Sequence, residues 1–191
     1  MDKDLSPASD RVLSGRKHWY AMRDLRPWNA KKTAFQEMKE LGLTVYTPMR
    51  QISKELPNGK KTKELTPVMP TLLFVYEEKE RLDRIVRSIR LLQYIYRKGA
   101  GQQAVTIVRD SEMDRFIAAL ECDKHPLFLN PLELTPDRVG KKVIVVGGPL
   151  NEYQGFLLKS PGARKQRIIL EIKGFFAAAV QVDPKSLRIV S

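Results

Sequence analysis

The chain has 191 residues, 42% hydrophobic and 29% charged, which excludes disorder over most of its length and leaves room for two small domains. No apolar run approaches the roughly 20 residues of a bilayer span, and the first 16, MDKDLSPASDRVLSGR, lack the apolar stretch of a signal peptide and read as a flexible leader. The formal net charge of +12 is concentrated in two places, 12 Lys or Arg against 4 Asp or Glu over residues 16–63 and 10 against 4 over 136–191, which suggests two surfaces for a polyanion or simply solvated charge.

In chain order, HWYAMRDL (18–25) reads as a strand buried on both faces, ended by Arg26-Pro27-Trp28. Asn29 is a candidate N-cap for a helix from Ala30 to Leu41, with Ala34, Phe35, Met38 and Leu41 on one face and Gly42 as its stop. LTVYTPM (43–49) is a second strand. In SKELPNGKKTKEL (53–65), Asn58-Gly59 signals a hairpin whose lysine-rich flanks make it a protrusion or a mobile loop. TLLFVYE (71–77) is a buried strand, followed by a helix from Lys79 to Ile89 with Leu82, Ile85, Val86 and Ile89 inward. LLQYIY and AVTIV are two strands around a turn at Gly99–Gly101, and Asp110 or Ser111 caps a last helix that runs to about Cys122. The order β-α-β-β-α-β-β-α is that of an α+β fold, one antiparallel sheet sandwiched by helices.

DKHPLFLNPLELTPD (123–137), with three prolines and no period, reads as a linker. After it the pattern is all-β: Val143–Val146, Gly155–Lys159, Arg167–Ile172, Ala177–Val182 and Leu187–Val190 are five short strands at the spacing of a small barrel. The first of them runs into Gly147-Gly148-Pro149, and the second starts at Gly155. A barrel this small must curl tightly, and glycines allow positive φ or close backbone approach at its corners.

Here the residues carry a resemblance. VGKKVIVVGGPLNEYQGFLLK resembles a KOW motif. HWYAMR resembles the opening strand of the NusG N-terminal (NGN) domain, VMPTLLFVY its Phe-Pro-Gly-Tyr-Val segment, IVRSIRLLQYIYRKG the segment after it, and VTIVRDSEMDRFIAAL its last strand and helix. The resemblance to the NusG family of transcription elongation factors runs from about residue 17 to 191. It implies a leader (1–16), an NGN-like RNA polymerase-binding domain (17–122), a linker (123–137) and a five-stranded, SH3-like KOW barrel (138–191). The length and departures are more similar to specialised paralogues such as RfaH or the UpxY antiterminators of capsule operons. Thr71-Leu72 replaces the usual Gly-Tyr, and Arg23 stands where an aromatic is common.

What the resemblance implies for function is a cytoplasmic, monomeric regulator of pausing and termination. Met69, Pro70, Leu72, Phe74 and Arg23 would face the polymerase clamp helices, and Arg87 and Ser88 the gate loop. Leu72 and Phe74 read equally well as core, Trp19 and Tyr20 read as core rather than contact, and Arg87 and Ser88 read equally well as a plain helix end. Arg26, Lys31 and Lys32 would touch non-template DNA through its phosphates or form a solvated helix face; nascent RNA is a further candidate partner, and the barrel would bind a ribosomal protein or another transcription factor. The alternative is a ribosome-associated or RNA-binding KOW protein, which has no reason to carry the first half. For catalysis the residues give little: Cys122 lies among apolar residues, and His18 and His125 lack an orienting carboxylate at a telling spacing. One cysteine and two histidines make no four-ligand zinc site and no disulfide, so no metal and no cofactor are expected.

Overall fold

The computed structural model describes residues 15–27, 30–97, 104–123, 125–130, 133–159, 166–172 and 174–190. Contacts divide the chain into two compact units between Arg109 and Asp110.

The first unit is built around β1 (Lys17–Asp24). It pairs antiparallel with β5 (Leu72–Glu78) on one side and with β6 (Leu92–Tyr94) and β7 (Ile107–Val108) on the other, and β2 (Thr44–Tyr46) adds to the far edge of β5. Between them in sequence lie α1 (Ala34–Glu40), β3 (Met49–Glu55), β4 (Lys61–Pro67) and α2 (Lys79–Ser88). One face of the sheet presents Tyr20, Met22, Leu73 and Val75, and Ala34 and Met38 of α1 and Leu82 of α2 close over it. Trp19, Ala21, Leu72 and Phe74 alternate onto the other face and are buried too. β1 is therefore covered on both sides, and Trp19 and Tyr20 are core.

α1 departs from its expected start. Asn29 lies outside the described residues, and the N-cap is Thr33: its Oγ1 accepts from Gln36 N at 3.3 Å, while Gln36 Oε1 accepts from Thr33 N at 2.9 Å. This is a capping box, and its signature, Thr-x-x-Gln, stands in the sequence. Residues 30–32 precede the helix because Asp24 has already claimed Ala34 N, at 2.7 Å. Leu41 then falls at the C-cap, half exposed rather than inward, and Gly42 takes the positive φ of +74° that ends the turn.

Glu77 is a buried carboxylate on β5. It accepts from Glu78 N at 3.0 Å and pairs with Lys17 at 3.2 Å and Arg81 at 2.7 Å, tying β1 and α2 to the strand between them. Tyr94 of β6 donates to Asp83 of α2 at 2.7 Å, and Lys79 binds both oxygens of the same carboxylate.

The second unit opens with α3 (Asp110–Cys122), followed by β8 (Leu127–Leu129), β9 (Val139–Val145), β10 (Gln154–Leu158), β11 (Gln166–Ile172), β12 (Phe176–Val182), a short 3-10 turn (Pro184–Ser186) and β13 (Leu187–Ile189). The strands form one antiparallel, KOW-like sheet in the order β13-β9-β10-β11-β12-β8. It has six strands instead of the expected five. The sixth, β8, comes from the proline-rich segment 123–137, where Leu127–Leu129 pair with Ala177–Ala179 of β12. Three residues are too few to show a period, so hydropathy could not reveal it. Met113, Phe116 and Ala119 of α3 are buried; Phe116 meets Phe176 edge-on at 5.9 Å, and Phe128 meets the same ring at 5.7 Å. Asp123, just past α3, accepts from Gln181 N at 2.8 Å.

Candidate functional site

One end of the first sheet gathers residues from three strands. Asp24 N donates to Thr71 O and Leu25 N to Leu91 O, both at 2.9 Å, so the end of β1 is bonded to the starts of β5 and β6. Arg23, Pro70, Thr71, Arg90 and Gln93 are exposed there. Three large apolar side chains share the same end: Leu25 is 43% exposed, Met69 40% and Leu91 42%. Leu91 also holds a positive φ of +66°, which a leucine rarely adopts.

The sequence-predicted docking residues divide at this point. Arg23, Met69 and Pro70 meet on the exposed end. Leu72 and Phe74, read with them as docking anchors, are enclosed at 4% and 0% exposure and offer no surface in this conformation. Burial runs unbroken from Leu72 to Val75, so the alternation of β5 leaves no exposed apolar side chain over that stretch. Arg87 and Ser88 are exposed at the end of α2, where Arg87 Nε donates to Asp83 O at 3.2 Å and Ser88 Oγ to Ile85 O at 2.8 Å. They finish the helix, and Arg90-Leu91 leads from it to the sheet end. Sequence reading missed Leu25, Arg90 and Leu91. Nothing in IRLLQY announces a left-handed leucine, because φ is set by the turn between α2 and β6.

The basic cluster also resolves residue by residue. Asp24, itself buried, accepts from Arg26 N, Nε and Nη2 at 3.1, 3.0 and 3.2 Å, and Arg26 Nη1 reaches Glu37 at 3.0 Å. Arg26 thus bridges β1 and α1, its charge matched by two carboxylates. Lys32 pairs with Glu40. Lys31 is exposed and has no ion pair among the described residues.

In the second unit, Gly147 and Gly148 adopt φ of +85° and +70° at the corner after β9, with Pro149 exposed beside them. Gly147 N donates to Asn151 Oδ1 at 2.6 Å, and Val145 N to Tyr153 O at 2.9 Å, which closes the turn. Gly155 resumes the strand where Tyr153 folds over it. The Tyr153 hydroxyl donates to Ile169 O at 3.3 Å, and burial pushes its pKa up to about 12. Among the described residues no three His, Cys, Asp or Glu side chains group as metal ligands, and no helix is long and apolar enough to cross a membrane.

A family model described as NusG, transcription termination factor nusG, matches residues 17–117, slightly more than half of the chain. A solved structure, described as domain interaction in Thermotoga maritima NusG, is 15% identical over 92% of this chain and 98% of that chain, with a TM-score of 0.45. No curated protein matches the sequence. The chain belongs to the NusG family, whose proteins are transcription elongation and termination factors and not enzymes.

Proposed function

We propose that this chain is a specialised NusG-type factor that rides on RNA polymerase and acts as an antiterminator. The observation that carries the reading is the exposed sheet end, where Leu25, Met69 and Leu91 stand beside Arg23, Pro70 and Arg90. Apolar anchors within a polar, cationic rim are the usual make-up of a protein-binding hot spot. The clamp helices of the polymerase are the partner for this end, and Arg87 and Ser88 are the second contact, toward the gate loop. A factor that binds both sides of the polymerase cleft favours elongation when its affinity is higher for the closed, elongating conformation. Non-template DNA is the partner for Lys31, with Arg26 and Lys32 placing the start of α1 rather than reaching out themselves. The barrel is left for a further protein, and its outer surface carries the exposed Phe156.

The test is transcription through an intrinsic terminator by purified polymerase, with and without the protein. Read-through should rise. Met69→Ser and Leu25→Ser should each weaken binding to the elongation complex by about 1–2 kcal/mol, roughly tenfold, with the melting temperature unchanged. Equal binding by both variants, or no change in read-through with the wild type, removes the proposal.

A further inference from the structure

The hairpin of β3 and β4 takes no part in the core. Its strands make a two-stranded sheet of their own, paired from Met49 with Pro67 to Glu55 with Lys61, and from Ser53 to Leu65 every residue is exposed. Leu56 N donates to Lys60 O and Lys60 N to Asn58 Oδ1, and Gly59 takes a φ of +76°, so the tip is an ordered turn. A lone ribbon gains little stability from burial. Between Met49 and Pro67 it carries five Lys or Arg against two Glu. Lys54 and Glu64 match each other at 3.1 Å, whereas Arg50, Lys60, Lys61 and Lys63 have no ion pair among the described residues.

We propose that this ribbon is a binding surface for duplex DNA, separate from the sheet end and from α1. Cross-strand pairing puts Gln51, Ser53, Glu55, Lys61, Lys63 and Leu65 on one face, with Glu55 opposite Lys61, and Arg50 with the matched Lys54 and Glu64 on the other. The first face carries the unmatched lysines, with side chains that donate to phosphates and to base edges. A two-stranded ribbon fits the major groove of B-form DNA, and the deep, narrow major groove of A-form RNA does not admit it. A protein partner would need buried aromatic or aliphatic anchors, and beyond the half-buried Met49 and Pro67 at its base this face has Leu65 alone.

The experiment measures binding of the full chain to a labelled 20-base-pair DNA duplex by fluorescence anisotropy at several salt concentrations. The same sequence is tested as double-stranded RNA and as single-stranded DNA. A triple variant, Lys60→Gln, Lys61→Gln and Lys63→Gln, should lose at least tenfold in affinity for the DNA duplex. Its slope of log affinity against log salt should flatten by about 2.7 for three lost phosphate contacts. The matching triple change to arginine keeps the charge and should bind like the wild type. The proposal is overturned if the glutamine variant binds with unchanged affinity and slope. It is equally overturned if the arginine variant loses binding, or if RNA duplex or single strand is the preferred ligand.

Discussion

Gly155 has no room for a side chain. A Cβ there would stand 2.7 Å from the Tyr153 ring, 3.1 Å from Ile169 O and 3.2 Å from Ile168. The ring can swing, but the carbonyl is held in a strand, so Gly155→Ala should cost about 1–3 kcal/mol in urea unfolding. Gly147 is the opposite case. Its Cβ would meet nothing within 4 Å, and only the φ of +85° resists substitution, so Gly147→Ala should cost about 1–2 kcal/mol. Phe74→Ala should be severe, about 3–5 kcal/mol, because a fully enclosed ring leaves a cavity. Glu77 adds a pH term. Burial alone would raise its pKa, but the Glu78 amide, Lys17 and Arg81 outweigh that and hold it below the ordinary carboxylate value. A carboxyl with a lowered folded pKa contributes stability above its unfolded pKa of about 4.3, and loses it as pH falls through the folded value. Melting temperatures between pH 6 and pH 3 should therefore fall less steeply for Glu77→Gln than for the wild type. Parallel curves would mean that the carboxylate is not what titrates.

At the scale of elements, α1 depends on its first turn. It is seven residues long, too short to persist by propensity alone, and its start is fixed by the capping box at Thr33 and by Asp24 on Ala34 N. Thr33→Ala should cost about 1 kcal/mol, read by urea unfolding. Arg26→Ala should cost more than Lys31→Ala, since it leaves the buried Asp24 without its charge partner. The strands and helices were legible because they carry a pattern: β5 is an unbroken apolar run of strand length, and apolar side chains recur at helical spacing in α2. The α1 start was misplaced because two cap signals, Asn29 and Thr33, stood four residues apart, and only the position of Asp24 selects between them. β8 was illegible because its signal is a partner strand 50 residues away. At the sheet end, Arg23, Met69 and Pro70 were named by resemblance, and the structure shows only that they are exposed there. The enclosure of Phe74 and the exposure of Leu25 and Leu91 depend on which faces other elements cover, and pattern alone does not carry that.

For the whole molecule, the division between Arg109 and Asp110 makes a prediction about stable fragments. Phe116 packs on Phe176, Asp123 binds the β12 backbone, and β8 extends the sheet, so α3, Asp123 and β8 are fastened to the rest of the second unit. Limited proteolysis should yield a resistant C-terminal fragment of about 80 residues that begins near Asp110. A fragment beginning near residue 138 would instead support 123–137 as the linker. The left-handed leucine at the sheet end sets two demands on the chain against each other. Glycine relieves its backbone but removes the apolar side chain, while leucine keeps the side chain in a conformation that costs about 1–2 kcal/mol. In a library randomised at codon 91, sorting for folded protein should enrich glycine and asparagine, and sorting for terminator read-through should enrich leucine. If both sorts return the same residue, that position answers to one demand alone.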